Sequence, residues 1–217
     1  MVCNRVMKNY VVKCADRKQI KDFIEKHHYS KSINGLKTSF CFGLYDDDVL
    51  IGACLFGQLS TTSWKKYSDK ESDIIELRRL VLIDETPRNT ESWFIAKCIK
   101  YIKKNSDFST IVSYADPYHN HTGYIYQASN FIYIGTTNKD KLLKDRETGK
   151  TFHSRALRTK YNGDYKPFVK VLRKKHEMGL LEEITVPGKH IYVYPLRKST
   201  KKKFQNLKKE YPKKDES

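Results

Sequence analysis

The order in which strand-like and helix-like periods follow one another is the strongest constraint on this chain. Tyr10-Val11-Val12 reads as a short strand. Asp16 is placed to N-cap a helix running to about His28, with Ile20, Phe23 and Ile24 on one face and lysines on the other. Phe40 to Tyr45 and Val49 to Phe56 are apolar runs flanking Asp46-Asp47-Asp48, which predicts a hairpin. Glu76 to Ile83 predicts a further strand. Trp93 to Lys104 follows as a helix whose stripe is Phe94, Ile95, Cys98, Ile99 and Ile102. Thr110 to Tyr114 then reads as a strand, Gly123 to Ser129 as a short helix and Phe131 to Gly135 as a strand. The order β–α–β–β–β–α–β–α–β calls for an α/β (α+β) fold with a mixed central sheet flanked by helices, not a bundle or an all-β sandwich. No internal repeat is visible.

A chain of 217 residues suffices for one domain with a full core and an appendage. Nothing is apolar for long enough to span a membrane, and the start, MVCNRVMKNY, has no apolar signal segment. The cysteines are Cys3, Cys14, Cys41, Cys54 and Cys98, with no CxxC pair, which favours reduced thiols. The net charge of +17 is unevenly spread: residues 1–140 hold 20 Lys+Arg against 16 Asp+Glu, and residues 141–217 hold 22 against 9, so +4 and +13. The basic residues of the last third are interleaved with Tyr161, Tyr165, Phe168, His176, Tyr192 and Tyr194. That is the footprint of a polyanion binder rather than of a plain solubility tail. The expected organisation is a core over 1–140, a basic, aromatic-rich part over 141–197 packed on it, and a Lys-rich mobile arm over 198–217.

The stretch Ser113 to Phe131 carries the densest chemistry. Asp116, Tyr118, His119, His121, Tyr124 and Tyr126 crowd the end of one predicted strand and the helix after it. The bland alternatives are a turn cap for Asp116 before Pro117, a core aromatic for Tyr126 and a solvated helix end for His28. Upstream, the helix near Trp93 offers unpaired N–H groups suited to an anion. Asn89 or Thr90 can cap it, and Arg88 adds charge. Arg78 and Arg79 are adjacent on a strand and so should face opposite sides. His28, Asp116, His119 and His121 could supply two histidines and a carboxylate, a set that suits non-haem iron, at a spacing that is permissive rather than diagnostic.

The order and lengths of the elements resemble the GNAT-type N-acyltransferase fold. In that fold a loop and helix after the strand matching ELRRLVLI hold the cofactor's pyrophosphate. The usual loop is glycine-rich, and PRNTESW contains no glycine. More narrowly, HHYS (27–30), ELRRLVL (76–82), NTESWFI (89–95), YADP (114–117), HTGYIYQASNFIYIGT (121–136) and KHIYVYPL (189–196) resemble the Mom adenine-modification proteins of tailed bacteriophages. The resemblance implies attachment of a methylcarbamoyl group to the N6 amine of adenine in double-stranded DNA. It also implies protection from host restriction, in the cytoplasm of the infected bacterium. His28, Tyr29, Arg78, Ser92, Asp116 and Tyr126 match the family's functional positions, with Arg78 as the inward arginine. On this reading Asp116 takes a hydrogen bond or proton from the amine, and Tyr126 orients the reacting group or acts as an acid. Tyr29 stacks on the flipped base, and His28 is a second proton-transfer group.

The resemblance leaves the donor as acetyl-CoA or a glycine-derived donor such as charged tRNA, bound near Arg88, Asn89, Thr90 and Ser92, and implies iron. Arg155, Arg158, Lys160, Arg173, Lys174 and Lys175 are the candidate DNA contacts, with binding that weakens in salt. A palindromic target would imply a homodimer, and no membrane partner is expected. The residues leave two alternatives open. One is an ordinary GNAT acetyltransferase acting on a protein or small-molecule amine, and the other is a nucleic-acid-binding module without catalysis.

Overall fold

A computed structural model describes residues 9–60 and 62–213. The chain forms two units. One runs to Ala115 and takes in His121–Gly135 and everything from His190 onward; the other holds Asp116–Asn120 and Thr136–Lys189.

The first unit is built on a seven-stranded sheet. Its strands are β1 (Tyr10–Cys14), β2 (Thr38–Asp46), β3 (Val49–Gly57), β4 (Ile74–Leu82), β5 (Thr110–Ala115), β6 (Ile132–Thr136) and β12 (His190–Pro195). They lie in the order β1-β2-β3-β4-β5-β12-β6. The helices are α1 (Arg17–His27), α2 (Thr90–Asn105), α3 (Tyr124–Ala128) and α5 (Lys198–Gln205). Every paired strand whose register is resolved runs antiparallel except β4 with β5. That parallel pair needs a crossover, and α2 supplies it. The α/β architecture read from the sequence is present.

Local chemistry accounts for the elements. The Asp16 carboxylate accepts from the Lys18 N–H at 2.7 Å and caps α1. Asp47 takes φ 52 in the tight β2–β3 turn, where an acidic residue tolerates the left-handed region. Phe94, Ile95, Cys98, Ile99 and Ile102 of α2 are buried, with Ile75 and Leu77 of β4 and Ile111 of β5, in one core cluster. Ile20 and Ile24 of α1 pack with Cys41, Ala53 and Leu55 in another.

Two irregularities shape the middle of this sheet. The β4–β5 ladder ends at Leu77 and Ser113, although both strands run further. In the β3–β4 register Leu55 faces Arg79 and Phe56 faces Leu77, so Arg78 is the extra residue of a bulge. A bulge breaks strict alternation, so the expectation that Arg78 and Arg79 face opposite sides does not apply.

The C-terminal segment departs from the mobile arm expected. Residues 198–205 form α5, and its Phe204 is fully buried with Leu59, Tyr67, Val112 and Val193. The Lys203 ammonium donates to the Tyr67 carbonyl at 2.8 Å, and the Lys209 N–H to the Tyr133 carbonyl at 2.9 Å. One phenylalanine amid lysines leaves mean hydropathy low, yet that single ring anchors the helix.

The second unit has a three-stranded sheet, β11 (Leu181–Val186), β7 (Asp140–Asp145) and β8 (Thr151–His153), and a two-stranded ribbon, β9 (Lys160–Tyr161) and β10 (Asp164–Tyr165). Its helix α4 (Pro167–Glu177) buries Leu172 with Leu143 and Leu181. The division differs from cuts at 140 and 197, because the chain from His190 returns to the first unit's sheet as β12.

Candidate active site

His28 terminates α1, its N–H bonded to the Ile24 carbonyl at 2.8 Å. It is buried, not the solvated helix end of the bland reading. Its Nδ1 accepts from the Ser30 backbone N–H at 3.0 Å and lies 2.9 Å from the Ser30 hydroxyl. An N–H can only donate, so Nδ1 is unprotonated and a neutral ring carries its proton on Nε2. Burial, then the Arg79 charge and His121, lower the His28 pKa to about 4. At neutral pH it is therefore a fixed hydrogen-bond donor.

The next residue, Tyr29, is 55% exposed. Its ring centroid lies 4.3 Å from that of His28 and 5.1 Å from that of His121. Arg79 completes the group from β4. Its guanidinium donates to the Ser32 and Arg78 carbonyls at 3.4 and 2.7 Å. Burial, together with the Arg78 charge, lowers its pKa, opposed by Tyr29, Glu76 and Tyr126. Tyr126, on α3, packs 5.3 Å from the Tyr192 ring and 5.5 Å from the Phe131 ring. Burial pushes its hydroxyl well above the ordinary range, partly opposed by the hydrogen bond it shares with Ser113. Tyr126 is thus a neutral phenol, able to donate but not a ready base.

Arg78 is elsewhere. It pairs with Glu76 at 3.1 Å and donates to the Gln58 carbonyl, and its Nε is buried without a partner among the described residues. The arginine grouped with His28, Tyr29 and Tyr126 is Arg79. Sequence alternation could not find this, because the bulge that reorients the pair leaves no local signal.

Asp116 belongs to the second unit. One carboxylate oxygen caps the short turn Pro117–His119 by accepting from the Tyr118 N–H at 3.1 Å, as the turn-cap reading anticipates. The other lies 3.0 Å from the Lys189 ammonium. Among the described residues no group of three or more His, Cys, Asp or Glu side chains is arranged to hold a metal ion. The donor set His28, Asp116, His119 and His121 therefore does not fit iron: Nδ1 of His28 is occupied by Ser30, and Asp116 is occupied by its cap and by Lys189.

At the start of α2, Asn89 holds the cap position at φ 70, but its side chain makes no capping bond. The Thr90 hydroxyl turns back to the Pro87 carbonyl at 2.7 Å, and the Ser92 hydroxyl to the Asn89 carbonyl at 3.0 Å. Arg88 is exposed. A cavity of about 360 Å³ opens here, lined by Asn89, Ser92, Trp93, Ala96, Ile99 and Tyr194 with Ala128–Asn130. Its lining combines the polar side chains of Asn89, Ser92, Ser129 and Asn130 with the aromatic rings of Trp93 and Tyr194.

The candidate DNA contacts divide. Lys175 is held by Asp145 at 2.6 Å and Glu147 at 2.8 Å, and the Lys175 ammonium keeps the Asp145 carboxyl at about 2. Arg173 donates to the Leu157 carbonyl at 3.2 Å and lies 4.5 Å from the Tyr165 ring centroid. Arg155 donates to His153. Arg158, Lys160 and Lys174 are exposed, Lys160 lying 5.1 Å over Tyr165.

Comparison with known proteins bears on what this arrangement belongs to. The profile of the Mom protein family matches residues 9–213. The chain belongs to the Mom protein family. It is 30% identical over 118 residues to the methylcarbamoylase mom of Escherichia phage Mu, covering 52% of this chain and 48% of that protein. The chain thus spans about half the length of the curated relative it matches. Among solved structures, this Mom-family chain is similar to an N-acetyltransferase from Staphylococcus aureus Mu50, at TM-score 0.47 and 16% identity, over 88% of this chain and 100% of that one. A Bacillus subtilis acetyltransferase in complex with CoA gives TM-score 0.48 and 13% identity, over 87% and 99%. Among the described residues, no helix is long and apolar enough to cross a membrane.

Proposed function

We propose that this Mom-family protein is a phage DNA-modification transferase that converts adenine to N6-(methylcarbamoyl)adenine in double-stranded DNA inside the infected host, shielding it from restriction. The observation that carries the reading is the cluster of His28, Tyr29, His121, Arg79 and Tyr126. The exocyclic amine of adenine lies inside the duplex, so the base must leave the stack, and an exposed ring packed beside two others is a platform for it. Tyr29 takes that part. Arg79 and the neutral Tyr126 and His28 are hydrogen-bond donors that need no rearrangement as negative charge builds on the transferred group. The resemblance gives Asp116 the part of proton acceptor from the amine.

The cavity at the start of α2 is the proposed donor site. Acetyl-CoA and a glycine-derived donor such as charged tRNA are the two candidates. Acetyl transfer alone supplies no amide nitrogen, so isotope-labelled glycine and acetate in the expression host discriminate between them.

The test is mass spectrometry of nucleosides from plasmid DNA after expression of wild-type, Arg79→Ala, Tyr126→Phe and Asp116→Ala proteins. The reading expects a methylcarbamoyl adenosine with wild type and little of it with Arg79→Ala or Tyr126→Phe. Asp116→Ala tests the carboxylate on its own. Unmodified DNA from well-folded wild type overturns the reading.

A further inference from the structure

α3 has five residues and a glycine at its cap position, with no side-chain capping bond. A helix that short does not hold itself, so its aim is set by what surrounds it. Tyr192 of β12, which is fully buried, holds it from both sides of Gly123 in the chain. The Tyr192 hydroxyl donates to the Thr122 carbonyl at 2.5 Å, ahead of α3, and accepts from Nε2 of Gln127, within α3, at 3.0 Å. Its ring lies 5.3 Å from that of Tyr126. Gly123, at φ 82, has no room for more: a Cβ there would stand 2.3 Å from the Tyr192 ring.

The chain after α5 closes on the same place. The Lys209 N–H donates to the Tyr133 carbonyl at 2.9 Å, laying the segment along β6, the last strand of the sheet. The Tyr211 hydroxyl donates to the Phe131 carbonyl at 2.7 Å, and its ring stacks 6.4 Å from Tyr192 at 25°. Gln127 Nε2 reaches the Pro212 carbonyl at 3.4 Å. The Phe131 N–H in turn donates to the carbonyl of Tyr126 at 3.0 Å.

We propose that Tyr192 and the C-terminal strap, residues 207–213, are positioning residues for Tyr126, so that the end of the chain sets the aim of the site. Neither touches the reacting atoms; both act through Thr122, Gln127 and Phe131. The inference rests on the reading that Tyr126 serves the transfer.

Tyr192→Phe and Tyr211→Phe keep the rings and remove only the hydroxyls. Hydrogen exchange of the full-length protein, followed by mass spectrometry, is expected to quicken about fivefold over residues 121–131 in either variant. Segments 74–82 and 90–105 are expected to stay as in wild type. Unchanged exchange over 121–131, or faster exchange throughout, overturns the proposal. In the DNA-modification assay each variant is expected to lower kcat about tenfold at unchanged KM for DNA, with no further loss in a Tyr126→Phe background. Additive losses overturn it. Should wild type leave DNA unmodified, the functional reading falls, and the exchange measurement still decides the strap.

Discussion

Tyr29 and His121 place their ring centroids 5.1 Å apart, although one follows the first helix and the other follows the fifth strand. His28 lies 4.3 Å from Tyr29 on the chain side. Tyr29 is more than half exposed, so removing it costs the fold little, within about 0.5 kcal/mol. Base–aromatic stacking is worth about 1–3 kcal/mol. Tyr29→Ala is therefore expected to lower adenine modification roughly 5- to 150-fold, with Tyr29→Phe retaining most of it. Nucleoside mass spectrometry at matched protein levels checks this, and wild-type yield from Tyr29→Ala would remove Tyr29 from the site.

His28 makes stability depend on pH in a defined window. Its folded pKa, about 4, lies below the ordinary 6.5. Between those values the unfolded chain holds a proton that the folded protein does not. The contribution is therefore complete above pH 6.5, declines as pH falls towards 4, and is flat below. It amounts to about 3 kcal/mol in total. Urea midpoints at pH 7.5, 5.5 and 4 should fall more steeply for wild type than for His28→Gln, and identical profiles would show that His28 is not held neutral.

These two residues also show what the sequence could disclose. Elements with a strong period were legible: the buried stripe of α2 and the Asp16 cap of α1 stand where they were read. The second unit was not, because β7, β8, β9 and β10 are short and carry few apolar residues. At the candidate site, resemblance singled out His28, Tyr29 and Tyr126, and the fold shows how they are grouped. That Arg79 rather than Arg78 neighbours His28 was not readable, because side-chain direction on β4 depends on a bulge set by the partner strand. Tyr192 was read with the basic, aromatic surface of the last third, yet it is fully buried, and its hydrogen bonds go to residues far away in the chain.

The two arginines should separate by phenotype. Arg78 forms a mostly buried pair with Glu76, and breaking such a pair costs about 3 kcal/mol. Arg78→Ala is expected to lower the unfolding midpoint, with activity lost only in proportion to unfolded protein. Arg79→Lys keeps the charge but loses the planar fork. It is expected to keep the midpoint and lose modification at least about tenfold. The reverse pattern in paired melts and activity assays would restore Arg78 to the site.

DNA affinity supplies a further contrast. Each phosphate contact contributes about 0.9 to the slope of log K against log salt. Arg158→Ala and Lys174→Ala remove exposed charges and should each reduce the slope by about that amount. Lys175 is committed to Asp145 and Glu147, so Lys175→Ala should leave the slope alone and lower the melting temperature. Filter binding or anisotropy across a salt series measures it, and equal slopes for all variants would place the DNA surface outside this unit.

Phe204 decides whether the C-terminus is structure or arm. Its ring is fully buried against Leu59, Tyr67, Val112 and Val193. Truncating a buried phenylalanine costs about 3–5 kcal/mol, whereas on a mobile arm it costs nothing. Phe204→Ala should therefore lower stability by that amount in denaturant titration. Replacing exposed Lys201 or Lys202 by alanine should change it by less than about 0.5 kcal/mol. The lysines of α5 then gain a defined geometry, because Phe204 fixes the helix that carries them. A Phe204→Ala protein as stable as wild type would return residues 198–213 to the status of a loose basic tail and remove the support beneath the strap as well.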